Sequence, residues 1–202
     1  MTAPRRRGRP GLDLATVLER SVALFNERGF DGTSMDDLAR HLGISKSAIY
    51  HHVPSKDALL GLALDRALSG LEEAAADVRT MDGRAVNRLE SLVARSVEVL
   101  VARLPYVTLL LRVHGNSAVE RDALTRRRRL DRFAAGLVKE AVGDGDLRPD
   151  VDPAVTARLL FGMVNSLAEW LRPTSKHTAA ELAHAVSAAA FDGLRATATA
   201  RR

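Results

Sequence analysis

Apolar residues recur every three to four positions along nearly the whole chain, and no segment keeps up the alternation of a strand. The pattern predicts an all-α fold. Asp13 is a suitable N-cap for the first helix, and Gly29 a suitable end. The apolar stripe of this helix consists of Leu14, Val17, Leu18, Val22 and Phe25.

Two short helices are predicted next, joined by a tight turn. Thr33 or Ser34 can cap the second helix, which ends at Gly43, and Ser45 can cap a third over KSAIYHH before Pro54. Two helices around a glycine turn, the second too short and too polar for a core element, are typical of a helix-turn-helix motif. In that motif the second helix lies in the major groove of DNA.

The rest of the chain predicts a helical bundle with short connections. Ser55 can cap a fourth, long helix that runs from Lys56 towards Arg79. Five further helical segments are expected at about 84–104, 105–113, 118–142, 153–172 and 178–198.

Composition narrows the class of protein. The 202 residues are 46% hydrophobic and 27% charged, which is typical of globular domains, and cysteine is absent. Disulfides and thiolate metal sites are therefore excluded. Since no long apolar run or signal peptide is visible, we expect a cytoplasmic protein without a membrane span, and we expect no cofactor.

Positive charge is concentrated at the N-terminus. Residues 1–12 contain four arginines and no acid, which accounts for four of the five net positive charges. Basic arms commonly bind nucleic acid, because neutralised phosphates release their counterions. A disordered tail that only improves solubility is the alternative.

The segment TSMDDLARHLGISKSAIYHHVPSKDALL resembles the DNA-binding domain of the TetR family of bacterial transcriptional regulators. The Thr-Ser opening, the Leu-Ala pair, Gly-Ile-Ser, the aliphatic-Tyr pair and Ser-Lys-Asp-Ala-Leu match in order and spacing. The resemblance implies a three-helix DNA-binding domain joined by a long helix to a bundle for effector binding and dimerisation. We expect a basic arm at 1–12, the helix-turn-helix domain at 13–60 and the bundle at 61–202.

The resemblance also implies roles for individual residues. Phosphate contacts are expected from Thr33, Ser34, Tyr50, His52 and Lys56. Base contacts are expected from Lys46, Ser47 and Ala48. The GRP segment resembles arms that reach a minor groove, so Arg7 and Arg9 join the predicted DNA contacts.

A homodimer is expected, because two recognition helices must lie roughly 34–36 Å apart to read a palindromic operator. The last two helices carry broad apolar surfaces with small residues that permit close approach. The predicted interface comprises Leu160, Val164, Leu167, Leu171, Leu182, Val186, Ala189 and Gly193. Packing of both stripes inside one subunit is the alternative.

An effector pocket is predicted from polar and aromatic residues within apolar helices, since buried polar groups need partners that a ligand can supply. The candidates are Tyr106, Arg112, His114, Phe133, Phe161, Asn165, Glu169 and Trp170. The alternative, which is the more common one for such residues, is that each is satisfied within the core or an interface. FGMVNSLAEWLRP resembles a stretch in TetR regulators that respond to acyl-coenzyme A compounds, but the effector's identity stays open.

Two other constellations have competing interpretations. His41, His51 and His52 are a poor metal site, because adjacent helical side chains diverge by about 100° and no Cys completes the ligands. The run of arginines at 126–129 is read as a solvated face that pairs with acids such as Glu120 or Asp122. A phosphate clamp for a coenzyme A-like effector is the alternative.

The sequence therefore predicts a DNA-binding transcriptional regulator, a repressor released from its operator by a small molecule. One alternative is an architectural DNA-binding protein without effector. A small helical enzyme is the other, and we do not expect it because no coherent acid–base, nucleophilic or metal constellation is present.

Overall fold

A computed structural model describes residues 12–172 and 174–195, and helices dominate these ranges. The described residues contain nine helices: α1 Leu14–Arg28, α2 Met35–Leu42, α3 Lys46–His52, α4 Lys56–Thr80, α5 Ala85–Ala102, α6 Leu104–Leu111, α7 Ala118–Gly143, α8 Pro153–Trp170 and α9 Ala179–Leu194. The all-α prediction is confirmed. No helix in the described ranges is both long and apolar enough to cross a membrane.

The chain divides into two compact units, with the boundary between Ala63 and Leu64 in α4. Unit 1 contains α1, α2, α3 and the first residues of α4. Unit 2 contains the rest of α4 and α5 to α9. Each unit has its own buried apolar residues, and the two are described separately below.

The ends of α1 follow the sequence prediction. The Asp13 carboxylate accepts a hydrogen bond from the Thr16 backbone N–H at 2.8 Å. This bond holds the pKa of Asp13 below its ordinary value, because it stabilises the charged form. At the other end Gly29 adopts a φ of 81°, a conformation that costs glycine little.

Ser34, rather than Thr33, caps α2. Its hydroxyl accepts from the Asp37 N–H, while the Asp37 carboxylate accepts from the Ser34 N–H, which forms a capping box. These bonds keep the pKa of Asp37 below its usual range. The helix ends at Gly43, whose φ of 68° places it in the left-handed region, and Ser45 then caps α3.

Unit 2 has α5 in its interior, packed against α7, α8 and α9. Leu89 and Val97 of α5 are completely buried. Most predicted helix ends in this unit agree with the structure to within two residues. The exception is α9, which ends at Leu194 because Arg195 is extended and forms an isolated β-bridge with Leu147.

Candidate nucleic-acid interface and bundle cavities

One face of α3 is anchored in unit 1 while another faces solvent. Ile49 is completely buried, and it holds the short helix in place. Lys46, Ser47 and Tyr50 are exposed, and Ala48 is half-buried. With 46% of its surface accessible, Tyr50 is one of the more exposed large apolar side chains in the described residues. The face therefore offers ammonium, hydroxyl and phenol groups, all of which can bond to DNA.

Local contacts orient two of these side chains. Lys46 Nζ lies 3.1 Å from Asp36 Oδ2 on α2, and the Ser47 hydroxyl lies 2.9 Å from that of Ser45. The ion pair is exposed, and such pairs contribute only about 0–1 kcal/mol. Lys46 can therefore leave Asp36 for a DNA base at little cost.

Thr33 and Lys56 are engaged in internal hydrogen bonds. The Thr33 hydroxyl is buried and donates to the Gly29 carbonyl at 2.7 Å. Lys56 Nζ donates to the carbonyls of Phe30 and Thr33, both at 2.8 Å, and lies 4.2 Å from the Phe30 ring centroid. Both side chains stabilise the turn between α1 and α2, so this conformation does not favour their predicted phosphate contacts.

The two histidines at the end of α3 differ in exposure. His51 is exposed, and His52 is half-buried near Asp13. Among the described residues, no group of three or more His, Asp or Glu side chains is arranged to hold a metal ion. Arg7 and Arg9, the predicted contacts of the basic arm, lie outside the described residues.

Between its helices unit 2 contains a partly open cavity of about 40 Å³, referred to below as the internal cavity. Its lining residues come from α4 (Leu71), α6 (Val107, Leu110, Leu111), α7 (Arg127, Leu130, Asp131) and α8 (Phe161, Asn165). Phe161 and Asn165 are predicted pocket residues, and the structure brings them together here. Since a water molecule occupies about 30 Å³ in the liquid, a larger guest would require the helices to move apart.

Arg127 and Asp131 are the charged groups of this internal cavity, and sequence reasoning missed both. Burial raises the pKa of Asp131, an effect that the charges of Arg127 and Arg158 partly offset. Burial also lowers the pKa of Arg127, against the favourable charge of Asp131. The signal in the sequence was their i, i+4 spacing, which places them on one face of α7.

The other six predicted pocket residues do not line the internal cavity. Two of them pack beneath arginines: Tyr106 lies 5.2 Å from the guanidinium of Arg66, and Phe133 lies 4.5 Å from that of Arg79. The remaining four are exposed, and they are Arg112, His114, Glu169 and Trp170.

A larger, open groove of about 440 Å³ lies between α7 and α8. It is lined by Thr125, Arg128, Asp131, Arg132, Ala135, Ala154 and Arg158. Asp131 lines both this groove and the internal cavity. The two spaces therefore share one lining residue.

The first arginine of the run, Arg126, joins α7 to α4. Its guanidinium makes two bonds to the Glu72 carboxylate, at 2.8 and 2.7 Å, and one to Asp65 at 2.8 Å. The predicted pairing with Glu120 is wrong. Glu120 is buried and accepts three backbone N–H bonds of the loop before α7, from His114, Gly115 and Asn116.

The predicted dimer residues divide between core and surface. Six of them are at most 8% exposed and belong to the core of their own subunit: Leu160, Val164, Leu167, Leu171, Leu182 and Val186. Only Ala189 and Gly193 are exposed. These six side chains are therefore not available to a partner subunit, which agrees with the alternative that the stripes pack inside one subunit.

Unit 2 also contains an apolar groove, between α8 and α9. Val155 is 53% exposed and Leu159 is 64% exposed, values unusual for aliphatic side chains. The groove has a volume of about 410 Å³, and Met163, Ala189 and Gly193 also line it. An apolar face of this kind is typical of a surface that another helix covers.

Comparison with known proteins identifies the family. The model of bacterial regulatory proteins of the tetR family matches residues 17–63, and that of the tetracyclin repressor-like C-terminal domain matches residues 82–194. The crystal structure of SCO3833 from Streptomyces coelicolor, a member of the TetR transcriptional regulator family, is 49% identical. It covers 89% of this chain and 91% of its own, with a TM-score of 0.83. The chain belongs to the TetR family.

Two other similar proteins extend this comparison. The transcriptional repressor KstR2 from Rhodococcus jostii is 26% identical over 193 residues, which are 88% of this chain and 89% of KstR2. AibR, solved in complex with isovaleryl coenzyme A and operator DNA, is 26% identical with a TM-score of 0.74 and covers 88% of this chain and 97% of its own. The chain is a DNA-binding transcriptional regulator, and α2 and α3 form its helix-turn-helix.

Proposed function

We propose that this TetR-family chain is a homodimeric repressor that binds a palindromic operator through α3 and leaves it when a small molecule enters unit 2. The observation that carries the DNA-binding role is the exposed face of α3, held by the buried Ile49. On that face Lys46 and Ser47 read bases, while Tyr50 bonds to phosphate. His52 and Ser34 contribute further phosphate contacts near the same surface.

The apolar groove between α8 and α9 supports the homodimer. Burial of an aliphatic side chain such as Leu159 stabilises an interface by about 1.5–3 kcal/mol. Small residues at Ala189 and Gly193 allow the partner's helices to approach closely. Two copies would then form a four-helix interface, α8 and α9 from each subunit, that fixes the separation of two α3 helices.

The effector is proposed to be an amphiphilic anion, of which an acyl-coenzyme A thioester is the leading class. The support is a pair of spaces that share Asp131 in their linings, a cavity lined mostly by apolar side chains and a groove lined by arginines. AibR was solved with such a thioester and with operator DNA. Because the internal cavity holds only about 40 Å³, the acyl group must displace its walls.

Displacement of the cavity wall provides a route to α4. Leu71 of α4 lines the cavity, and its neighbour Glu72 is bonded to Arg126. On α7, Arg127 lines the cavity next to Arg126 in the chain. A ligand that widens the cavity therefore acts on both sides of the ion pair. The ligand can change operator affinity only by the difference in its own affinity for the two arrangements of α4.

The experiment begins with selection of bound fragments from the source genome by purified protein. Operator affinity is then measured by fluorescence anisotropy, with a shuffled duplex of equal length as control. We expect a salt-dependent preference for the selected duplex and its loss on addition of isovaleryl coenzyme A or a related thioester. Equal affinity for selected and shuffled duplexes would contradict the proposed function.

A second candidate function, DNA binding without an effector, is favoured by the small volume of the internal cavity. It predicts that no thioester changes operator affinity, even at concentrations that saturate a binding site. Calorimetry of the same thioesters without DNA separates the two candidates, because an effector must bind whether or not DNA is present.

A further inference from the structure

Three arginines line the groove between α7 and α8. Arg128 and Arg132 are one turn apart on α7, and Arg158 stands on α8. All three are exposed at the groove, which has a volume of about 440 Å³. An exposed arginine is ordinary, but three around one concavity are a concentrated positive charge.

Carboxylates leave this charge largely uncompensated. Arg126 and Arg148 each pair with carboxylates, whereas none of the ion pairs formed by described residues involves Arg128, Arg132 or Arg158. Asp131 is the only acid in the groove lining. Burial raises the pKa of Asp131, and its charge is shared between Arg127 and Arg158. The groove therefore keeps a positive potential that an anion would neutralise.

We propose that Arg128, Arg132 and Arg158 bind the phosphoryl groups of the effector, specifically a diphosphate. The inference deepens the proposed function, since it assigns the charged end of that ligand. A guanidinium matches a phosphate with two parallel N–H bonds, and several guanidinium groups suit an anion with several charges. A single carboxylate would use only one of the three arginines.

The position of Asp131 sets the direction of the ligand. Because this side chain lines both spaces, a ligand whose phosphoryl end lies in the groove can extend its apolar end past Asp131 towards Phe161. Arg129 belongs to the same run of arginines but is not among the groove lining. It supplies a control of equal charge.

The test is isothermal titration of the full chain with inorganic pyrophosphate and, separately, with coenzyme A. Arg128→Ala and Arg158→Ala each remove one groove guanidinium, and Arg129→Ala removes one outside the groove. We expect each groove variant to lower the affinity for both ligands by about tenfold or more, because hydrogen bonds to a charged group are lost. Arg129→Ala should stay within about twofold of wild type. The affinity of Arg158→Lys should lie between those of wild type and Arg158→Ala, because lysine keeps the charge but lacks the two parallel N–H donors of a guanidinium.

Three results would overturn the assignment. The first is no binding of either probe to the wild type, and the second is equal weakening by Arg128→Ala and Arg129→Ala, which would indicate non-specific attraction. The third is loss of operator affinity in the groove variants without ligand, which would make these arginines DNA contacts. If the wild type binds pyrophosphate but selects no operator, the proposed function fails and the anion site stands. If the wild type selects an operator but binds neither probe, the anion site fails and the DNA-binding part of the proposed function stands.

Discussion

Arg126 of α7 and Glu72 of α4 form a two-pronged ion pair, with Nε–Oε1 at 2.8 Å and Nη2–Oε2 at 2.7 Å. The Arg126 side chain is 19% exposed and that of Glu72 is 40% exposed, so water screens the pair only in part. The hydrogen bonds from Arg126 lower the pKa of Glu72. The pair fixes α4 to α7 directly beside the internal cavity.

Glu72→Gln should lower the free energy of unfolding by about 1 kcal/mol at neutral pH, because Arg126 loses a charged, two-pronged partner. For a chain of this length the melting temperature should fall by roughly 2–4 °C. Glu73→Gln is the matched control, since its carboxylate is 72% exposed and lies 3.9 Å from Arg103. Thermal unfolding of both variants should show a shift only for Glu72→Gln.

The pH dependence of this difference has a definite sign. Because the folded-state pKa of Glu72 lies below the ordinary 4.5, its contribution is complete above that pH. It is lost as the pH falls through the folded-state pKa. The free energies of unfolding of wild type and Glu72→Gln should therefore converge in acid. A difference that persists below the folded-state pKa of Glu72 would show that packing, not charge, separates the two proteins.

Lys56→Met should destabilise unit 1 by about 2 kcal/mol, because two carbonyl oxygens of the α1–α2 turn lose a charged donor. The slope of log affinity against log salt should not change if Lys56 makes no phosphate contact. A slope shallower by about 1 would instead support the phosphate contact predicted from the sequence. Lys46→Met is the control. Loss of its exposed ion pair with Asp36 should leave stability almost unchanged, while the preference among operator sequences should change.

Tyr50→Phe should weaken operator binding by about 2–10-fold, the effect of one hydrogen bond. The loss should be similar for selected and shuffled duplexes, because phosphate contacts carry no sequence information. Tyr106→Phe, the same change in unit 2, should leave both affinities as they are. A loss confined to the selected duplex would make Tyr50 a base-reading residue.

Local signals explain why the fold was predictable. Asp13, Ser45 and the two glycines at 29 and 43 determine helix ends through bonds to residues at most four positions away, so the sequence contains their whole cause. The helix-turn-helix followed from such signals. The long-range partners did not, because nothing local to Arg126 indicates Glu72, 54 residues earlier.

Local sequence signals likewise do not show which apolar stripe of a helix is buried, or which helices cover it. Leu160 and Leu159 are neighbours of equal hydrophobicity, yet they are 2% and 64% exposed. Periodicity ranks stripes by apolar content, but the contacts of α5, α7 and α9 decide which stripe of α8 becomes core. Six of the eight residues of the predicted interface are therefore core residues of their own subunit, and the place of the interface stays a prediction.

Leu159→Glu should convert the proposed homodimer to monomers, because a carboxylate in the α8–α9 groove cannot be buried in a subunit interface without a partner. Folding should survive, since the side chain is exposed within the subunit. Met81→Glu is the control: it also replaces an exposed apolar side chain of unit 2, but Met81 does not line this groove. Sedimentation at micromolar concentration should show a dimer for wild type and Met81→Glu and a monomer for Leu159→Glu. Operator affinity should fall with the dimer, as one α3 helix reads only a half-site. A Leu159→Glu protein that stays dimeric would place the subunit interface elsewhere.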